Sequence, residues 1–351
     1  RHDIFGTADL VEEILRIDGY DNIPAVPVVR PPGQLPSKPD VLQARRAAAR
    51  AALSRRGMLE TVTWSFMDGA VADAFGTGLR QNKASLTLVN PISADLAVMR
   101  PSILPNLIDA AVRNTDRGFA DTALFEVASV YVSAENDGQV SVASGLRSGQ
   151  ASPRHWAAPP RACDTLDVKA DVFSVLESCG VNLNSVQVVR DAPGWYHPGR
   201  SGAVRLGASV LAHFGEVHPS VMAAMKRDET VCGFEVFLQN LPAPKKKGTR
   251  KETLRLSPLQ PLTRDFAFIV DAAVEADKIR RAALSVDKAL LQDAEIFDVY
   301  AGKGVDPGKK SVGLAVTVQP AEKTLTDDEI AALCAKIVAA VVKETGGALR
   351  G

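Results

Sequence analysis

Four carboxylates near the start of this chain have the type and spacing to hold a metal ion. Asp9, Glu12 and Glu13 stand at i, i+3 and i+4, so on a helix their side chains share one face. Asp3 lies one loop earlier and can fold back toward them. Carboxylates without imidazole or thiolate suit a hard cation such as magnesium. The competing reading is a solvated acidic stripe at a helix N-terminus, where the macrodipole favours negative charge. Lys303, Lys309 and Lys310 bracket a Gly-rich turn and could meet a phosphate backbone. His197, His213 and His218 suggest ligands or bases, but no Cys/His spacing supports zinc, and His197-Pro198 and His218-Pro219 read as turns. Asp164, Asp167 and Asp171 read as helix-terminus charges. Arg45, Arg46, Arg50, Arg55 and Arg56 read as the solvated face of a helix, with RNA contact as the alternative. No GxSxG elbow, P-loop or GxGxxG is present.

The elements that must position these groups follow from periodicity. Thr7 is a plausible N-cap for a first helix with Leu10, Val11, Ile14, Leu15 and Ile17 on its apolar side and Gly19 at its end. Residues 1–25 close one region, and a linker over 26–38 lies in a stretch, Asn22–Pro39, with six prolines. A domain over 39–244 starts with the Arg-bearing helix, followed by a strand over Glu60–Phe66. Asn90-Pro91 makes a turn, Ser102 caps a helix reaching about Asn114, and Pro105 fits its first turn. A buried strand spans Leu124–Val132, and Ser133–Pro160 reads as loops. A linker over 245–256 opens with five cations in the seven residues Lys245–Lys251.

The last segment, 257–351, reads as βαββαβ. Prolines precede a strand ending at Asp271; Ile279, Ala282, Ala283 and Val286 recur at helical spacing. A second strand covers Glu295–Tyr300. In a third, Ser311–Val318, Val312, Leu314, Val316 and Val318 face one way. Thr326 and Glu329 form a capping box for a helix reaching about Val342, and a short strand near Ala348–Leu349 completes a ferredoxin-like sheet with both helices on one face. Ser311, Gly313, Ala315 and Thr317 on the open face are not the aromatics of an RNA-recognition motif, so no stacking platform is expected there.

Composition bounds the function classes. The 351 residues suit two or three domains. Lys and Arg total 41, as do Asp and Glu, which excludes a global pull on nucleic acid. From Arg255 to Gly351 the balance is 13 Lys/Arg against 14 Asp/Glu, so any RNA attraction there must be local. The longest apolar stretches fall short of a membrane span. Cys163, Cys179, Cys232 and Cys334 lack metal-type spacing and read as reduced core residues of a cytoplasmic protein. The first residue is Arg1, and the expectation is a fragment of something longer.

The wording of several segments goes further. Pro261, Arg264-Asp265-Phe266-Ala267-Phe268, Phe297-Asp298-Val299-Tyr300, Gly308-Lys309-Lys310-Ser311 and Leu325-Thr326-Asp327-Asp328-Glu329 resemble the ferredoxin-fold anticodon-binding domain of phenylalanyl-tRNA synthetases. Leu124-Phe125-Glu126-Val127, Tyr196-His197-Pro198-Gly199-Arg200-Ser201 and Phe214-Gly215-Glu216-Val217-His218-Pro219 resemble the class II synthetase-like core of the bacterial β subunits. Arg1-His2-Asp3-Ile4, Asp9 to Ile14 and Gly19-Tyr20-Asp21-Asn22-Ile23-Pro24 resemble the end of the domain preceding that core, with Asp18 where the family often has an aromatic.

The resemblance implies an α+β protein: an antiparallel class II-like core followed by a ferredoxin-like domain. It implies a magnesium site at Asp3, Asp9, Glu12 and Glu13, associated with an α subunit that binds ATP and phenylalanine in an (αβ)₂ assembly, and binding of tRNA(Phe). The strand Leu124–Val132 has no arginine and no Gly-x-Gly-x-x-Arg follows, so the core is expected to be catalytically degenerate. The family's editing region lies outside this chain, and no editing residue is assigned. The alternative of another class is a self-contained metal-dependent hydrolase built on the four carboxylates.

Overall fold

A computed structural model describes residues 2–29, 40–76, 86–243, 253, 256–321 and 323–350. The Lys245–Lys251 connector and residues 30–38 of the expected linker lie outside the described residues. The chain forms two compact units, 1–43 and 44–351.

In the first unit, α1 spans Thr7–Asp18 and its N-cap is Gly6 rather than Thr7. The reason is Asp9: one carboxylate oxygen, Oδ2, accepts from the backbone N–H of both Phe5 and Gly6 at 2.9 Å, closing the turn one residue earlier. No residue of α1 is buried.

The next elements are α2 (Val41–Arg55), β1 (Leu59–Glu60), β2 (Phe66–Met67), α3 (Gly69–Gly76), β3 (Val98–Met99), α4 (Leu104–Thr115), β4 (Thr122–Tyr131) and β5 (Gln139–Ser148). They lead to α5 (Thr165–Ser178), β6 (Gln187–Val189), β7 (Tyr196–Leu206), β8 (Ser209–Val217), α6 (Pro219–Ala224) and β9 (Val231–Phe237). Seven strands form one sheet in the order β1-β4-β5-β9-β8-β7-β6, antiparallel except for β1 against β4. Leu104, Leu107 and Ile108 of α4, with Trp195 and Tyr196, fill one face against Leu124, Val130, Val142 and Leu146. Burying such side chains supplies about 1.5–3 kcal/mol each. Against β5, β8 and β9 lies α5.

Several expectations are corrected here. The strand foreseen over Glu60–Phe66 is two short pieces, because Glu126 takes Thr63 off the ladder by accepting from its N–H (3.2 Å) and hydroxyl (2.6 Å). The stretch foreseen as loops, Ser133–Pro160, contains β5, with Val142, Ala143 and Leu146 fully buried. Ser102 is not the residue preceding α4, which is Ile103. Its Oγ accepts from Leu104 N–H at 3.1 Å and donates to Glu235 at 2.7 Å. Pro105 does sit in the first turn.

Most of the expected arginines are anchors rather than a solvated face, although Arg55 is exposed and Arg56 lies just past the end of α2. Arg45 is buried and donates to the carbonyls of Leu238, Leu241 and Pro242 at 2.7–3.0 Å. Arg46 donates to Ser141, Arg50 to Glu60 and the Val127 carbonyl, and Arg56 to Asp171. Asp164 and Asp167 cap α5 as expected, but Asp171 lies inside the helix, fully buried, between Arg56 and Arg147. His213 lies in β8 and is buried, and His197 belongs to β7; His218 caps α6, its Nδ1 accepting from Ser220 N–H.

The second sheet belongs to β10 (Leu262–Asp271), α7 (Ala276–Leu284), β11 (Leu291–Tyr300), β12 (Lys309–Val318), α8 (Asp327–Thr345) and β13 (Ala348–Leu349). Its order, β11-β12-β10-β13, and all-antiparallel pairing are those of a ferredoxin-like βαββαβ unit. Phe266, Phe268, Val270, Val312, Leu314 and Val316 pack on Ile279, Ala283, Leu333, Ile337 and Val341 of the two helices. Thr326 and Glu329 form the expected capping box. The strand foreseen from Glu295 begins at Leu291 and carries register shifts at 291/293 and 296/298.

Candidate nucleic-acid interface

Period-2 alternation turns Ala267, Ile269, Ser311, Gly313 and Ala315 away from the helices. Small side chains make that face flat. Above Gly313 lies the ring of Phe297: a β-carbon at the glycine would fall 2.9 Å from Phe297 Cε2 and Cζ. The shift of register between Ile296 and Asp298 accommodates it, because a bulge turns a side chain to a new direction. Phe297 is 58% exposed and Tyr300, opposite Ser311, is 41% exposed. The open face of strand three carries the expected small residues. Strand three supplies no aromatic, but its neighbour β11 does.

The turn from β11 to β12 brings the three lysines to one end of the sheet. Gly308, in left-handed backbone (φ +79°), closes it. Tyr300 donates its hydroxyl to the Lys303 carbonyl at 3.3 Å. Lys309 lies 3.3 Å from Asp306, an exposed pair worth little in stability. Lys310 donates to the Ala272 carbonyl at 3.0 Å, and burial pushes its ammonium pKa down. The aromatic face and the lysine turn therefore adjoin on β11 and β12.

The larger sheet has its charged groups bound internally. Arg100 is buried and paired with Glu126 at 2.9 Å, and it also donates to Thr63 Oγ1 and to the carbonyls of Ser129 and Trp64. Arg147 and Arg56 share the buried Asp171. Glu235 accepts from Ser102 at 2.7 Å and from Tyr196 at 3.4 Å, and burial pushes its pKa up to about 7. Asp171 is carried by α5 and Ser102 precedes α4, so these groups brace the helices against the sheet.

The four carboxylates of the first unit are not gathered into a metal site. Among the described residues, no group of three or more His, Cys, Asp or Glu is placed to hold a metal ion. Asp9 is engaged by two backbone N–H groups, which hold its pKa below the usual carboxylate value. Glu13 pairs with Arg16 at 3.0 Å. The donor chemistry suits a hard cation; as placed, Asp9 is engaged by the backbone of Phe5 and Gly6 and Glu13 by Arg16.

Residues 26–238 match the family described as the phenylalanyl tRNA synthetase beta chain CLM domain, and 257–350 match the ferredoxin-fold anticodon binding domain. The two matches define a subunit of the aminoacyl-tRNA synthetase class. The chain belongs to the phenylalanyl-tRNA synthetase β-chain family.

Over its whole length it is 51% identical to the phenylalanine–tRNA ligase beta subunit of Paramagnetospirillum magneticum, of which it covers 44%. It is 49% identical to that of Rhodospirillum rubrum, covering 43%. The chain thus spans less than half the length of these relatives. The solved pyrrolysyl tRNA synthetase of Desulfitobacterium hafniense aligns at a TM-score of 0.44 and 17% identity, over 58% of this chain and 68% of that one, too loosely to bear on the site. No helix among the described residues is long and apolar enough to cross a membrane. The hydrolase alternative finds no support: the relatives are named as ligases.

Proposed function

We propose that this chain is the part of a cytoplasmic phenylalanine–tRNA ligase β subunit that joins an α subunit in an (αβ)₂ assembly and presents tRNA(Phe) to it. The observation that carries this reading is the outer face of the ferredoxin-like sheet. There Phe297 is exposed above a floor of small residues, next to Lys303, Lys309 and Lys310. Aromatic rings stack on bases and cations serve phosphates, which is how single-stranded RNA is held.

Residues 39–244 act as a silent core and 257–351 as the RNA-binding domain. Amino-acid activation is displacement on phosphorus and needs cations aimed at developing charge. Arg100, Arg56 and Arg147 are engaged by Glu126 and Asp171. That chemistry, with its ATP, falls to the α subunit.

The same reading assigns Asp3, Asp9, Glu12 and Glu13 to magnesium. Its support is the all-oxygen donor set. Asp9 would have to release the Phe5 and Gly6 N–H groups to join such a site. Co-expression of the full-length parent gene with its neighbours, followed by affinity purification, tests the proposal. An α-type synthetase subunit should copurify in equal amount, and tRNA(Phe) should be charged only by the pair. A full-length protein that purifies alone and charges or hydrolyses substrate unaided would overturn it.

A further inference from the structure

Between β5 and α5 the chain runs out and back as a hairpin-like arm, 150–162, with bridges at Gln150–Ala162 and His155–Ala158. Its base is fixed. Ala151 N–H donates to the Arg161 carbonyl at 2.8 Å, and Cys163 N–H to the Gly149 carbonyl at 2.9 Å. The Arg161 guanidinium donates to both carboxylate oxygens of Asp167 in α5, at 2.7 and 2.8 Å. The tip is a two-residue turn, Trp156-Ala157, closed by the His155–Ala158 bridge. His155 Nδ1 accepts from the Ala157 N–H at 3.1 Å, which orients the imidazole. That ring stacks beside Trp156, with centroids 5.7 Å apart and planes 30° from parallel. Trp156 is still 94% exposed.

Because Nδ1 is the acceptor, the neutral imidazole carries its proton on Nε2, a donor with no partner among the described residues. Arg154, beside the aromatic pair in sequence, is exposed and has no hydrogen bond or ion pair with any described residue. From Gln150 to Cys163 there is no Asp or Glu. The tip thus combines a stacking face, an N–H donor and a free guanidinium, with no negative charge of its own. An aliphatic pocket would cover the indole but leave the other two groups buried without acceptors, which is costly. A nucleotide satisfies all three. Its base lies on the ring, its phosphodiester fits the guanidinium fork, and its base or ribose oxygens accept from the imidazole. The nucleotide must be unpaired, since only an unstacked base can lie on a side-chain ring.

We propose that the 150–162 arm is a second RNA contact of this chain, in which Trp156 stacks on an unpaired nucleotide and Arg154 holds its phosphate. This rests on the reading of the chain as a tRNA-binding subunit, but on no residue of the ferredoxin-like sheet. With the base of the arm tied to α5, the domain of the larger sheet takes a share in holding RNA.

The test uses the full-length protein assembled with its α subunit and a tRNA(Phe) transcript, titrated across a range of salt. Trp156→Ala should weaken binding by roughly 5- to 150-fold, the loss of one stacked base. Trp156→Tyr should keep most of the affinity. Trp156→Leu, apolar but not aromatic, should bind as weakly as the alanine variant. Arg154→Ala should make the log–log salt dependence shallower by about 0.7. Thermal unfolding and subunit assembly of all four should match the parent, because the tip is exposed. If all four bind with the parent's affinity and slope while a Lys303/Lys309/Lys310→Ala variant binds more weakly, the arm is no RNA contact and the tRNA-binding reading stands. If Trp156→Leu equals the parent, or Trp156→Ala loses the α subunit, the tip is an apolar contact between proteins and the proposal is wrong. If neither the arm variants nor the lysine variant changes binding, both fall together.

Discussion

The ring of Phe297, the bulged residue beside Asp298, lies over Gly313 and occupies the space a side chain there would need, 2.9 Å from where its β-carbon would be. The glycine lets the ring lie flat near the sheet. At 58% exposure, little of the ring's area is spent on the protein's own core.

Phe297→Ala should therefore cost RNA binding far more than folding. Loss of one stacked base is worth about 1–3 kcal/mol of affinity, while an exposed substitution shifts stability by about 0.5 kcal/mol or less. Gly313→Val keeps the aromatic but forces it off the sheet, and should weaken tRNA(Phe) binding in the same direction. Equal affinities for parent, Phe297→Ala and Gly313→Val by fluorescence anisotropy would remove Phe297 from the interface.

Arg100 and Glu126 are both nearly inaccessible to solvent and lie 2.9 Å apart. Glu126→Ala strands a buried guanidinium and should destabilise the larger sheet by about 3–5 kcal/mol in urea unfolding. The double replacement Arg100→Met/Glu126→Leu removes both charges and should recover much of that loss. A Glu126→Ala protein as stable as the parent would show the pair to be solvated.

Glu235 and His213 face each other across β8 and β9 and titrate in opposite senses. Burial raises Glu235 to about 7 and lowers His213 to about 4. The raised carboxyl favours the folded state below about 4.5, its ordinary value, and that contribution is lost as pH rises through 7. The depressed imidazole contributes stability above about 6.5 that is lost as pH falls through 4. Between these limits the two offset each other. Glu235→Gln should leave a protein that loses stability more steeply on acidification from pH 6.5 to 4.5, and His213→Phe one that loses it less. Parallel stability–pH curves for parent and both variants would contradict the assignment.

Asp9→Ala combined with Glu13→Ala removes two carboxylates from α1. In the assembled full-length enzyme it should lower bound magnesium or weaken cohesion of the α and β subunits. Unchanged metal content by atomic emission, together with unchanged assembly in sedimentation, would return these residues to a capping and surface role. Asp9 already caps the helix through Phe5 and Gly6, so the single Asp9→Asn variant should separate lost charge from lost capping.

The sequence exposed what depends on local periodicity. The alternation over Ser311–Val318, the Thr326/Glu329 capping box and the spacing Ile279, Ala282, Ala283 each report a face or a terminus set by neighbours a few residues away. It hid what depends on partners far along the chain. Arg45 reads as a surface arginine until its acceptors, Leu238 and Leu241, are folded next to it. Asp171 reads as a helix-start charge until Arg56 and Arg147 close on it. Phe297 was hidden because a bulge changes the direction of a strand residue without leaving a mark in the alternation. The linker and connector were read from prolines and lysines, and most of both lies outside the described residues.

The central claim is that this chain serves RNA while its core stays silent in activation. One comparison reaches it: the tRNA(Phe) KM for aminoacylation by the assembled enzyme carrying Phe297→Ala with Lys303/Lys309/Lys310→Ala, set against phenylalanine-dependent pyrophosphate exchange by the same preparation. The account predicts a raised tRNA KM with exchange equal to the parent's. A tRNA KM equal to the parent's would contradict it, as would a fall in exchange that tracks the loss of aminoacylation.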